Sequence, residues 1–378
     1  MKNRLILFIL FIVLLFQAGC LREKKAHVII WGDSEGMLRR PGDSEELNPA
    51  MLKFIERLQY MDGRNPIDLI LCTGDFVRFD PITTHRDDFA FFKHFPRDLL
   101  AKHYPTIGGD QEFLDGKYNF YAKNVGPLLE NTRVYAKEKT ITQLIQKALK
   151  TAKDENKHYY HLENEALHVI SLWSPDNLDE IERTPELAKH DIFNPTIAKS
   201  IPQYRWLVKT LWNIREVNKD NRAIAVLSHR PVFNRAGKHL YELFDAFDVD
   251  LVLSGDQHLY AHHKHRGVNY IITGMMGDEL DDCSLINEGY LGKRGNNFAV
   301  RISDYKTCIS SGKVIRNGQA FSWEKDHYID MTVNFKRIKL QVIELKSMKA
   351  IKNTKLKIKL KREKQSNLRK RIYQDLFH

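Results

Sequence analysis

Four cysteines in 378 residues are too few to staple a small fold, so this chain must rest on ordinary core packing. With 20 glycines and 12 prolines, it is neither fibrous nor a low-complexity linker. No apolar run approaches the ~20 residues a membrane-spanning helix needs; the run from Leu5 to Phe16 falls well short. Acids are scarce in one place. Residues 346–378 hold twelve Lys and Arg against Glu363 and Asp375, which accounts for nearly all of the formal charge of +11. The remainder is almost neutral, so no nucleic acid is expected, and the basic tail is expected to meet anionic lipid or an envelope polymer. Part of that tail, "TKLKIKLKREK" (354–364), alternates polar and apolar residues, and a charged edge strand is the competing reading.

What is present begins at the amino terminus. Lys2 and Arg4 precede the Leu5–Phe16 run, and "QAGC" follows, the layout of an export signal. "AGC" (18–20) resembles a bacterial lipobox in which Cys20 carries lipid, although Gln17 stands where that motif usually has Leu. An ordinary cleaved signal and an uncleaved anchor are the alternatives. All three export the chain to the cell envelope, membrane-anchored by lipid or facing the periplasm. The expected organisation is a signal segment at 1–20, one domain at 21–345 and a basic tail at 346–378. Cys72 sits in an apolar run and is expected to be a buried thiol, leaving Cys283 and Cys308 as the one pair to consider for a disulfide.

Short runs rich in Val, Ile and Leu recur: 27–31, 67–73, 166–173, 223–229, 249–255 and 268–274. They lack polar alternation, as strands covered on both faces do. Segments 51–61, 141–152 and 204–214 space their apolar residues at helical intervals. The pattern predicts an α/β domain with crossover connections. Residues 327–345 alternate like antiparallel strands and are expected to close it.

The apolar runs end repeatedly in glycine and an acid, or in histidine. "WGDSEG" supplies Asp33 and Glu35, "CTGDFVR" Asp75, "IGGDQE" Asp110, "LSHRP" His229, and "SGDQH" Asp256 with His258. In α/β sheets, ligand groups collect beyond the carboxyl ends of strands.

This series resembles the calcineurin-like metallophosphoesterase superfamily, including its purple acid phosphatase branch, in which motifs of the type D-x-H, G-D-x-x-D/Y, G-N-H-E/D, a strand-terminal His and G-H-x-H follow in that order. The resemblance implies a four-layer α/β/β/α sandwich and a two-metal site that hydrolyses phosphomonoesters or phosphodiesters. One metal would see Asp33, Asp75, His258 and Glu35; the other would see Asp75, Asp110, His229 and Asp256. Asp75 would bridge them. Asp110 replaces the family's Asn, Asp256 replaces a His, and Glu35 lies near a His position, so carboxylates stand where neutral ligands usually do. Such a set suits Mn, Fe or Mg better than Zn, and its extra negative charge weakens the pull on phosphate. Gln111 stands where the family has a histidine; it can donate a hydrogen bond but cannot act as a general acid. Arg78 occupies the place of the tyrosine ligand of the purple enzymes. The competing reading is a catalytically degenerate member that binds a cation or an anionic ligand without turnover. His262 is expected at the pocket rim.

Overall fold

The computed structural model describes residues 24–32, 49–74, 95–100, 102–105, 159–173, 192, 197–232, 237–256, 260–273, 305–310, 313–316, 319–321, 327–351, 354–360, 362 and 365–377. The segment 141–152 and Cys283 lie outside them.

Two sheets form the centre. The first takes the order β15-β14-β13-β1-β2-β3, with β1 (Lys25–Trp31), β2 (Leu69–Cys72), β3 (His103–Pro105), β13 (His327–Asn334), β14 (Arg337–Glu344) and β15 (Leu356–Lys359). Strands β1, β2 and β3 run parallel, while β13, β14 and β15 add antiparallel neighbours. The second sheet runs β12-β11-β10-β8-β9-β7-β6-β5-β4. Its parallel centre is β5 (Leu167–Ser171), β6 (Ala223–Leu227), β7 (Leu251–Ser254) and β9 (Val268–Thr273). Around that centre lie β4 (Tyr160–Glu163), β8 (Tyr260–His265), β10 (Tyr305–Ser310), β11 (Lys313–Arg316) and β12 (Gln319–Phe321).

Alternation along the strands divides the core. Leu167, Val169, Ala225, Leu227, Leu251 and Leu253 face the first sheet. Ile170, Ile224, Val226, Val252 and Ile272 face helices on the opposite side. This two-sided burial explains why the strands read as continuous apolar runs. Helix α1 (Pro49–Arg64) covers the first sheet: Met51, Phe54, Ile55, Leu58 and Met61 fall on one stripe and are buried. Phe54 packs against Trp31 and Tyr328, with ring centroids 5.8 and 5.3 Å away; truncating it to Ala would cost about 3–5 kcal/mol. A short helix, α2 (Arg97–Leu100), precedes β3. The second sheet is covered by α3 (Pro202–Trp212), α4 (Gly237–Ala246) and α5 (Ser366–Phe377). Pro202 opens α3, where its missing N–H costs nothing. The layers are therefore helix, sheet, sheet, helix.

Residues beyond 345 are integrated into these layers. β15 pairs with β14 at the sheet edge, and Leu368, Ile372, Tyr373, Leu376 and Phe377 of α5 pack on the helical core. Arg362 makes a two-pronged pair with Asp250, at 2.9 and 3.0 Å. Arg369 reaches Glu216 at 2.9 Å and Asp248 at 2.6 Å. Among the described residues, no helix is long and apolar enough to cross a membrane.

Candidate metal centre

The carboxyl ends of β1, β2, β6, β7 and β9 converge. Thr73, just past β2, donates its backbone N–H to Trp31 O (2.9 Å) and its hydroxyl to Thr273 O (3.2 Å). Ser228 N–H reaches Leu253 O at 3.0 Å, and Gly255 N–H reaches His229 O at 2.9 Å, which ties the turn after β7 to the turn after β6. His229 is fully buried at this junction. Its Nδ1–H donates to Thr73 O at 2.9 Å. A carbonyl only accepts, so Nδ1 carries a proton and Nε2 is the nitrogen turned away from that contact, the ring orientation that ligating histidines use.

Two glycines make this approach feasible. A Cβ on Gly74 would lie 2.4 Å from His229 Nδ1, and Gly74 has φ +107°, a conformation that side chains disfavour. A Cβ on Gly32 would lie 1.9 Å from Thr73 Oγ1. Asp33 and Asp75 are the residues that follow these glycines in the chain. Asp256 follows Gly255 with φ +67°, which Asp tolerates better than most residues, and it is half-buried. His327 supports the same junction from β13. Its Nε2 is hydrogen-bonded to Thr273 Oγ1 at 3.2 Å, and complete burial pushes its pKa down to about 3, so it stands neutral.

Of the residues expected to bind metal, His229 and Asp256 are brought to one place. Asp33, Glu35, Asp75, Asp110 and His258 lie outside the described residues, as do Gln111, Arg78 and Cys20. Among the described residues, no group of three or more His, Cys, Asp or Glu side chains could hold an ion. The described donors, an imidazole whose Nδ1–H is held by a carbonyl and a half-buried carboxylate on the neighbouring turn, are of the types that ligate metals. His262 departs from expectation. It is buried within β8, and its Nε2 bonds Asn269 Oδ1 at 3.2 Å, toward the opposite end of β9. Cys72 is a buried free thiol, as its apolar setting predicts. The sequence reading missed the Thr73 carbonyl that orients His229. The one signal for the close approach was the glycine before each acid.

Comparison with known proteins agrees with the fold. The profile of the calcineurin-like phosphoesterase family matches residues 24–260. No curated protein matches the sequence significantly. Among solved structures, GAP50, the anchor in the inner membrane complex of Plasmodium, is 13% identical; the match covers 94% of this chain and 96% of that one, with a TM-score of 0.51. The purple acid phosphatase PPD1 from yellow lupin (Lupinus luteus) seeds is 12% identical, covering 89% of this chain and 54% of its own length, with a TM-score of 0.48.

Proposed function

Because the chain belongs to the calcineurin-like phosphoesterase family, we propose that it is a metal-dependent phosphoesterase whose site lies beyond the carboxyl ends of β1, β2, β6 and β7. The observation that carries this reading is His229, buried with Nδ1–H held by the Thr73 carbonyl, the ring orientation of a histidine that ligates through Nε2. In this reading Asp33, Glu35, Asp75 and His258 hold one cation, and Asp75, Asp110, His229 and Asp256 hold a second, with Asp75 shared. Hard ions such as Mn, Fe or Mg suit so carboxylate-rich a set. Bound there, the cations would supply Lewis acidity toward water and the phosphoryl oxygens of a mono- or diester. The chain's own residues do the rest. Thr73 and Gly74 hold the His229 ring in place, and Gln111 donates a hydrogen bond to the substrate without delivering a proton. Export and a lipid on Cys20 complete the proposal, placing the domain at the outer side of a membrane.

A second reading, binding without turnover, is favoured by Gln111 in the general-acid position and by Asp256 in place of a histidine. One experiment separates the two. The purified full chain is analysed for bound metal and assayed on generic phosphomonoesters and phosphodiesters, beside His229→Gln and Gln111→His. The enzyme reading expects metal-dependent hydrolysis that His229→Gln abolishes. It also expects Gln111→His to raise turnover on poor leaving groups, within the ~10²- to 10⁴-fold typical of general acid catalysis. A folded, metal-loaded protein that hydrolyses nothing, with or without Gln111→His, decides for the binding reading.

A further inference from the structure

The end of the first sheet opposite the metal centre has an unusual surface. Register places Lys25, Asn334, Arg337 and Lys359 in one row across β1, β13, β14 and β15. The next row on the same face is His27, Thr332, Lys339 and Lys357. Arg337 therefore stands directly opposite Lys359, and Lys339 opposite Lys357, an arrangement that opposes strand pairing unless an anion lies over it. The inward partners Ile338, Leu340 and Ile358 are buried, so these cations occupy the outer face. None of Lys336, Arg337, Lys339, Lys357 and Lys359 forms an ion pair among the described residues. The two nearby acids are engaged by His27, Asp68 accepting its backbone N–H (2.7 Å) and Asp330 its Nε2 (3.1 Å). Phe335 projects at the tip of the β13–β14 turn, 42% exposed, between Asn334 and Lys336.

We infer that this corner, the outer face of β14 and β15 together with Phe335, is a docking surface for an anionic lipid bilayer. An exposed aromatic beside a field of lysines suits the headgroup boundary, where the ring enters the interface and the cations meet lipid phosphates. A linear polyanion would use the cations but not the ring. The path of the chain agrees. Lys25 pairs with Asn334, so the segment preceding β1, which carries the Leu5–Phe16 apolar run, joins the sheet beside Phe335. The other half of the same sheet face is covered by α1, through Phe54 on Trp31 and Tyr328, whereas among the described residues no helix covers the basic corner. The inference is independent of the phosphoesterase reading, since none of these residues belongs to the metal centre.

The test places the full chain in lipid nanodiscs and follows amide hydrogen exchange of residues 334–341 and 354–360. Discs of phosphatidylcholine alone are compared with discs containing phosphatidylglycerol. Each basic side chain near an anionic surface shifts the docking equilibrium about fivefold. Exchange in both segments should therefore slow at least tenfold in the anionic discs and recover in high salt. The triple change Lys339→Glu, Lys357→Glu and Lys359→Glu should abolish the protection, and Phe335→Ser should weaken it. Equal exchange in the two kinds of disc overturns the proposal. So does equal protection by soluble polyphosphate or duplex DNA added to the neutral discs, which would make the surface a general polyanion site. Should the triple variant fail to fold, Phe335→Ser and the salt series decide on the native chain.

Discussion

The last thirty-three residues contain two kinds of basic side chain with opposite fates. Arg362 and Arg369 are spent inside the fold, on Asp250, Asp248 and Glu216. Lys357 and Lys359 stand on an outer sheet face opposite other cations. In composition they form one run of charge, yet they differ in stereochemistry. The guanidinium fork matches a carboxylate and several carbonyls at once and tolerates burial, whereas an ammonium group keeps its water and stays outside. Net charge thus says little about which cations remain available to a partner.

The sharpest way to break the contrast is Arg369→Ala. Arg369 and Asp248 are 7% and 8% exposed, so the change removes the guanidinium that faces Asp248 and Glu216 and should cost about 3–5 kcal/mol in denaturant unfolding. A loss below 1 kcal/mol would return α5 to the status of a loose tail. Arg362→Ala should cost less, about 1.5–3 kcal/mol, because Arg362 is 19% exposed and water partly replaces it.

A smaller effect sits at the edge of the lysine field. Burial works against a charge on His27, but the hydrogen bond and charge of Asp330, with the Asn65 and Pro66 backbone, outweigh it and raise the His27 pKa above its ordinary value. A raised folded-state pKa gives stability that is fully present below about pH 6.5 and is lost as pH climbs through the folded value. The melting temperature of Asp330→Asn should therefore trail the wild type most at pH 5.5 and converge with it by pH 8.5. A constant gap would show that Asp330 acts through something other than the His27 charge. The smallest change should have the opposite sign. Lys357→Glu replaces a like-charge pair with an opposite one and should stabilise the sheet by about 0.2–1 kcal/mol.

The parts of the fold legible from sequence were those with one strong physical signature. Strands β1, β2, β5, β6, β7 and β9 are buried on both faces and so appear as apolar runs. β14 shows alternation because one face is covered and the other is more open, and β13 shares it around Asp330 and Thr332. Within the alternating stretch 354–364, Leu356–Lys359 form an edge strand, β15. β4 and β8 escaped notice; "YAHHKH" in β8 mixes histidine and lysine with apolar residues and imitates a loop. α5 was hidden because Arg369, Lys370 and Arg371 interrupt its apolar stripe of Leu368, Ile372 and Leu376. At the candidate site, the positions of His229 and Asp256 on neighbouring turns were readable from the endings of their strands. The Thr73 carbonyl could not be read, because every residue offers a carbonyl and its direction follows from packing alone.

The length of β1 has a consequence for what the protein can meet. Seven residues separate the lysine corner from the Gly32 end, and at ~3.3 Å per residue the strand spans up to roughly 20 Å. With the Phe335 turn lowermost and β1 steep to the leaflet, a seat on lipid at the basic corner would hold the candidate site more than two screening lengths, of about 8 Å each at physiological salt, from the leaflet. The leaflet's negative potential would then neither repel an incoming phosphate ester nor crowd it, and the site would be out of reach of a headgroup still embedded in the bilayer. In that seating, a phosphoesterase acting at this site would meet soluble esters before phospholipids.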